Sequence, residues 1–313
     1  MRILVTGGAG FIGSHVVDAY VAAGHHVAIV DNLVSGRREN LNPAATFYEI
    51  DIRDAELLAQ VIEREQPDVV NHHAAQISVG RSVADPLYDA DVNVLGTLNV
   101  LECIRAQQVR TGKAIHVISI SSAAVYGPPE YLPVDEAHPV RPLSPYGASK
   151  RAAEIYLDVY RATHGLKITI LRYANVYGPR QDPHGEAGVV SIFVGRMLTG
   201  ATPVIDGTGE QTRDFVYVGD CARANVLAAQ AADPGPGPYN ISTGEETSIA
   251  HLAELVQELS GYTGEIVHGP ERLGDIFRNV SDSARARQAL GWVPAVDLRE
   301  GLALTIAYFG EHA

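Results

Sequence analysis

The chain opens on a short apolar run that ends in a glycine-rich turn, Leu4-Val5-Thr6-Gly7-Gly8-Ala9-Gly10-Phe11-Ile12-Gly13, with Gly7, Gly10 and Gly13 three residues apart. No other feature narrows the possible folds as far. Missing side chains let the turn close and let backbone N–H groups approach a pyrophosphate. They also let the following helix, begun by Phe11 and Ile12, pack on its strand. Glycine-rich turns also occur in ordinary loops. What singles this one out is its place at the first strand–helix junction.

The rest of the first half supports that reading. Strand-like runs fall at Arg2–Thr6, His26–Asp31, Thr46–Ile50, Asp68–Asn71, Ala114–Ser119 and Lys167–Arg172. Helical patterns fill the intervals at about 11–24, 54–65, 85–109 and 145–164. Such alternation predicts an α/β fold with a doubly wound parallel sheet of Rossmann type, which binds ligands at the carboxyl ends of its strands. Ser144-Pro145 and Gly165 suit the two ends of the 145–164 helix, and Asp85-Pro86 suits the start of the 85–109 helix. Beyond about residue 178 Gly and Pro turns multiply, which predicts a smaller C-terminal α/β substrate lobe. The expected division is 1–177 for the dinucleotide and 178–313 for the substrate. A segment at about 213–235, beginning with a Phe215–Val218 strand, is expected to return to the main sheet.

Composition excludes other classes. Net charge is −13 with no basic stripe, so nucleic acid is not the expected partner. There is no apolar run long enough for a membrane span and no signal-peptide pattern. Two cysteines, Cys103 and Cys221, make neither a disulfide framework nor a metal site, and a cytoplasmic location is expected.

Candidate cofactor residues follow the strands. Asp31, 18 residues beyond Gly13, ends the second strand, where a carboxylate accepts bonds from both ribose hydroxyls and repels a 2′-phosphate. It predicts NAD rather than NADP, although Arg37 and Arg38 follow and Asp31-Asn32 also fits a turn. Asp51-Ile52 follows the third strand, with a helix cap as the other reading. His73-Ala74-Ala75 follows the fourth and lets the backbone line the cleft. The pair His72-His73 lacks a third metal ligand.

Tyr146-Gly147-Ala148-Ser149-Lys150 puts a phenol and an ammonium on one face at the start of a helix. A phenol ionises near 10, and lowering that by roughly three units takes about 4 kcal/mol of preference for the phenolate. Lys150, a positive nicotinamide ring and the helix N-terminus all act in that direction. Ser122 or Ser121, at the end of the fifth strand, can bond both substrate and tyrosine. Strand alternation alone does not choose between them.

With these motifs in place the sequence resembles the extended short-chain dehydrogenase/reductase family, the NAD-dependent epimerases and dehydratases, and within it UDP-glucose 4-epimerases. The likeness covers nearly the whole chain. It rests on Thr6–Gly13, Asp31-Asn32-Leu33, Asn93, Ser121–Gly127, Tyr146–Lys150, Leu171–Asn175 and Arg213–Val218. The resemblance implies Ser122, Tyr146 and Lys150 as catalytic residues, Asn93 as a residue that helps place the catalytic lysine region, and Asn93 and Tyr173 as part of the cofactor side. It implies Asn175, Arg213 and Arg272 on the diphosphate, Asn279 beside the sugar, Arg278 as a possible addition, and a homodimer formed through the 85–109 and 145–164 helices. A 4,6-dehydratase needs a further acid/base pair directly after the catalytic hydroxyl, and this chain has Ala123-Ala124 there. Epimerisation of a UDP-hexose at C4 needs only one base and a hydride acceptor. The hexose pair stays open among glucose/galactose, the N-acetylated pair and the uronates. A sensor that keeps NAD as a structural ligand is the non-enzymatic alternative, and it has no need of the tyrosine–lysine pair.

Overall fold

The computed structural model describes residues 1–183, 188–271 and 276–312. Its apolar runs become β1 (Arg2–Thr6), β2 (His26–Asp31), β3 (Thr46–Glu49), β4 (Val69–His72), β5 (His116–Ser122) and β6 (Lys167–Tyr173). Between them lie α1 (Phe11–Ala22), α2 (Ala55–Glu65), α3 (Val79–Ala84), α4 (Pro86–Ala90), α5 (Gly96–Thr111) and α6 (Pro145–His164). Seven strands form one sheet in the order Tyr239–Ile241, β6, β5, β4, β1, β2, β3. Every pairing within it is parallel. This is the doubly wound arrangement expected.

Period-two alternation sorts the strands between two cores. Ile3 and Val5 pack with Val16, Val17 and Tyr20 of α1 and with Ala224 of the helix Val218–Gln230. Leu4 points the other way, among Leu58 and Ile62 of α2, Leu101 of α5 and Leu157 of α6. A third core, built on Tyr177, Phe193, Phe215, Leu252 and Leu302, belongs to the C-terminal part of the chain.

Three features depart from the sequence expectation. The 85–109 helix is not continuous: α4 passes through a π turn at Asp91–Leu95 before α5, and α3 precedes it. Asp85 ends α3 and caps α4 by accepting the Tyr88 N–H at 3.0 Å, so one acid side chain separates two helices. The strand Phe215–Tyr217 does not join the large sheet; it pairs in parallel with Asn175–Tyr177. Only the helix after it returns, packing on α1. The seventh strand is instead Tyr239–Ile241, three residues beyond a Gly/Pro turn and too short to carry a periodic signal.

Helix α6 carries Tyr146 and Lys150, and both of its ends are specified. Ser144 accepts the Gly147 N–H at 3.1 Å, Pro145 occupies the first turn, and Gly165 closes the helix at φ 64°. A buried ion pair fixes it laterally: Arg172 of β6 donates to both Glu154 oxygens, at 2.7 and 2.6 Å, with each side chain 2% exposed. Removing one partner strands a buried charge, which costs about 3–5 kcal/mol. Glu154→Gln, which leaves Arg172 unneutralised, is therefore expected to lower unfolding free energy by about 3 kcal/mol in urea denaturation. An unchanged midpoint would show that the pair does not anchor α6.

Candidate active site

The carboxyl ends of the strands open into a cavity of about 680 Å³. One wall is the glycine turn. A Cβ on Gly7, whose φ is +72°, would lie 2.6 Å from the Ala74 nitrogen, and one on Gly13 would lie 2.1 Å from the Gly7 carbonyl oxygen. The turn is thus pressed against both the end of β4 and itself. Gly10 caps α1 with no side-chain acceptor, so the first-turn amides, at Phe11, Ile12 and Gly13, face the cavity. An uncapped helix start of this kind accepts a pyrophosphate.

Asp31 also lines the cavity while its oxygens accept the Ala9 N–H at 3.0 Å and the Leu33 N–H at 2.8 Å. Burial pushes its carboxyl up, against those two bonds. The carboxylate is held in place with lone pairs left for hydroxyl donors. Asn32 donates to Asp51 at 2.8 Å. Arg53 bonds Asp51 and Asp91, and the Arg53 bond holds the Asp51 carboxyl at about 2. Ile52, Ala74 and Ala75 complete this side. Arg37 lines the cavity but is paired with Glu39 and Asp182, and Arg38 with Glu49. Neither is a spare cation for a 2′-phosphate. A dinucleotide therefore fits this half of the cavity, and the charge distribution favours NAD.

His72 lies between Thr6 Oγ1 at 2.7 Å and Thr97 Oγ1 at 3.0 Å, and burial pushes it down to about 3. His73 lines the cavity with Tyr173, is pushed to about 3 by the same cause, and has a buried Nε2 with no protein partner among the described residues. Both rings are neutral at physiological pH. No metal-binding cluster exists among the described residues.

On the opposite wall Ser121, Ser122, Tyr146 and Lys150 meet. Ser122 is the serine hydrogen-bonded to Tyr146, and Ser121 lies on the Glu154 side. Lys150 donates to the Ile120 carbonyl at 3.0 Å, which ties the ammonium to the end of β5. The net shift of the phenol is upward, the reverse of the direction that the sequence pattern suggested. Burial raises Tyr146 above its ordinary value, the Ser122 bond opposes this, and Asp89 raises it further. Burial also pushes Lys150 down to about 8, against Asp89 and Glu154.

Other expected residues lie elsewhere. Asn93 does not line the cavity; it is buried, with its amide bonded to Gln76, Asp89 and Ser149. Asn175 donates to the Asp214 carbonyl, between cavity residues Ala174 and Val176. Arg213 donates to the carbonyls of Thr212 and Ile276. Arg278 is bonded to Glu246 at 2.7 and 3.0 Å and does not line the cavity. Asn279 is half-buried outside the cavity lining, and Arg272 falls outside the described residues. The sequence reading passed over Gln76, which lines the cavity, and Asp89, which is 1% exposed. The only sequence signal for Asp89 is an acid one helical turn before Asn93.

Comparison with known proteins adds three relatives. The description of the NAD dependent epimerase/dehydratase family matches residues 3–242. A UDP-glucose 4-epimerase from Mycolicibacterium smegmatis is 48% identical, with 99% of this chain and 98% of the relative covered. A Thermotoga maritima UDP-glucose 4-epimerase solved with UDP-glucose is 46% identical at TM-score 0.95, covering 100% and 99% of the two chains. A Thermus thermophilus UDP-glucose 4-epimerase in complex with NAD is 44% identical at TM-score 0.91, covering 99% of each.

The lysine makes one prediction. A folded-state value near 8 against about 10.4 unfolded destabilises the fold wherever both states are protonated, below about pH 8. That cost fades as pH rises from 8 toward 10.4. Lys150→Met is therefore expected to stabilise cofactor-stripped protein at pH 7 by roughly 1–2 kcal/mol, after allowance for water in the cleft. The gain should vanish above about pH 10. Thermal melts across that range check it; a pH-independent difference would contradict it.

Proposed function

This chain belongs to the NAD dependent epimerase/dehydratase family, and within it we propose that the protein interconverts UDP-glucose and UDP-galactose. One observation carries the reading: Ser122, Tyr146 and Lys150 share a single cavity with the glycine turn and Asp31. Hydride transfer at a sugar carbinol needs a base beside the nicotinamide end of a bound dinucleotide, and this grouping supports that assignment for Tyr146. The relatives with UDP-glucose and NAD agree with the epimerase reading. Bound NAD supplies the hydride acceptor at the sugar C4 and the donor for the return step.

The protein's part is proton transfer, orientation and anchoring. Tyr146 Oη, as phenolate, takes the proton of the 4-hydroxyl and later returns one to the 4-keto oxygen. Ser122 holds the tyrosine oxygen and the sugar oxygen in line. Lys150, fixed through Ile120, favours the phenolate by its charge. Opposite-face return requires the ketopyranose to turn about its diphosphate link, so the nucleotide must be held firmly and the sugar loosely. Asn175 and Arg213, on the strands beside the cavity, and Arg272 are assigned to the diphosphate, with Asn279 on the sugar side. Residues beyond 178 supply most of that side. Ala123-Ala124 form a short 3₁₀ turn directly after Ser122 and carry no acid or base, which leaves dehydration without its proton carriers.

The same reading places the enzyme in the cytoplasm, since Cys103 and Cys221 are free and buried. No helix among the described residues is long and apolar enough to cross a membrane. It also makes the enzyme a homodimer. Leu95 on the π turn and Ile155 and Val159 of α6 are 54%, 49% and 45% exposed, an apolar strip on adjoining helices.

Two experiments test these statements. Purified protein is assayed with UDP-glucose, UDP-galactose, UDP-N-acetylglucosamine and UDP-glucuronate without added cofactor. Tyr146→Phe should retain NAD and lose about 10²–10⁴-fold in rate. A folded, NAD-containing variant that turns over at the native rate would end the scheme. For the dimer, Ile155→Glu together with Leu95→Glu should halve the mass in sedimentation, and an unchanged mass would move the interface elsewhere.

A further inference from the structure

Helix-to-helix passage from α4 to α5 goes through the π turn Asp91–Leu95, an irregularity that recurs at functional sites. Its extra residue turns Asn93 inward, where it is 2% exposed. The two Asn93 amide hydrogens are shared among three acceptors, the Gln76 carbonyl at 3.0 Å, Ser149 Oγ at 3.0 Å and Asp89 Oδ1 at 3.2 Å, while its Oδ1 accepts the Gln76 N–H at 2.8 Å. Ser149 then donates to the Tyr146 carbonyl at 3.0 Å. From the other side Gln76 Nε2, on a residue that lines the cavity, donates to Asp89 Oδ1 at 2.7 Å. Asp89 is 1% exposed, and its hydrogen bonds come from two neutral amides. A buried carboxylate held this way keeps much of its field, because its hydrogen-bond donors are neutral and little water screens it.

We propose that Asp89 is a positioning residue for the reaction: its carboxylate, held by Gln76 and Asn93, sets the charge balance of the Tyr146–Lys150 pair. The Asn93–Ser149 arm fixes the helical turn that carries both. The proposal rests on the epimerase reading for its kinetic test only. The other titratable groups around the pair are accounted for. Glu154, paired with Arg172 and Arg151, acts on Lys150 but not on Tyr146, and burial keeps His72 and His73 neutral. Arg81 of α3 stacks on Tyr88, Asp91 is bonded to Arg53, and Glu102 pairs with Arg105 beside Tyr160 at the far end of α6. Asp89 is left as the carboxylate that raises both Tyr146 and Lys150 against or beside the effect of burial. It keeps the ammonium charged at the expense of a weaker acid in the phenol.

The test replaces the charge and leaves the acceptor. Asp89→Asn still offers an oxygen to Gln76 and Asn93, and Asp89→Ser is a smaller neutral control should the first fold poorly. Without the negative charge the phenol ionises at lower pH and the ammonium loses its proton at lower pH. Both limbs of the rate–pH profile should move toward acid by about one pH unit, with NAD content retained. The displacement of the phenol is also read without turnover, by ultraviolet phenolate titration of each protein against its Tyr146→Phe counterpart. Limbs and phenol titration that stay in place, whatever happens to the rate, overturn the proposal. A native protein that shows the titration shift but interconverts no UDP-hexose would instead refute the epimerase reading and leave the role of Asp89 standing.

Discussion

A methyl group on Gly13 would sit 2.1 Å from the Gly7 carbonyl oxygen, and one on Gly7 would meet the backbone of Ala74 at 2.6 Å. This close approach of three backbone segments sets the geometry of everything around it. It brings α1 down onto the sheet, so that its uncapped first-turn amides point into the cavity. It presses the end of β1 against the end of β4, so that His73-Ala74-Ala75 form the floor between the two halves of the site. It also places Ala9 where its N–H reaches Asp31. No side-chain interaction could give the same approach, because any side chain would occupy the space that the contact requires.

The opposite wall depends on burial working against ionisation. Taking a phenol and an ammonium out of water raises the first and lowers the second, and both shifts oppose the catalytic state. The surroundings answer in parts: Ser122 bonds the phenol, Glu154 and Asp89 act on the ammonium, and the Ile120 carbonyl fixes it. Because these groups come from β5, α4 and α6, the balance is a property of how the elements pack. The Glu154–Arg172 pair serves the same end by locking α6 to β6, so the tyrosine and lysine keep their depth in the cleft.

Legibility of the site in the sequence followed the range of each interaction. Local contacts were readable: the caps at Ser144 and Asp85, the glycine turn, and the Tyr146–Lys150 spacing all depend on residues within one helical turn or one strand end. The π turn was not readable, since Asp91–Leu95 carries no glycine or proline to mark it and is stabilised by Gln76 and Ser149, outside its own helix. Asn93, expected both to help place the lysine region and to lie on the cofactor side, is bonded to Ser149 next to Lys150 and does not line the cavity. The bond between Arg278 and Glu246, 32 residues apart, left no mark in the sequence either. The strand Tyr239–Ile241 escaped notice because three residues carry no period, and its place in the sheet is set by β6.

By itself, the sequence determined the parallel α/β layering, the dinucleotide turn, the acid at the end of β2 and the phenol–ammonium pair. All of these are encoded by periodicity or by spacing over a few residues. Tertiary structure decided which of the two serines left open by strand alternation acts on the tyrosine, Ser122, that Arg37 and Arg38 are paired with carboxylates, and that Asp89 lies buried against α6. Each of those outcomes depends on which distant side chain fills the neighbouring space. That is fixed by packing two helical layers onto one twisted sheet, and no local pattern records it.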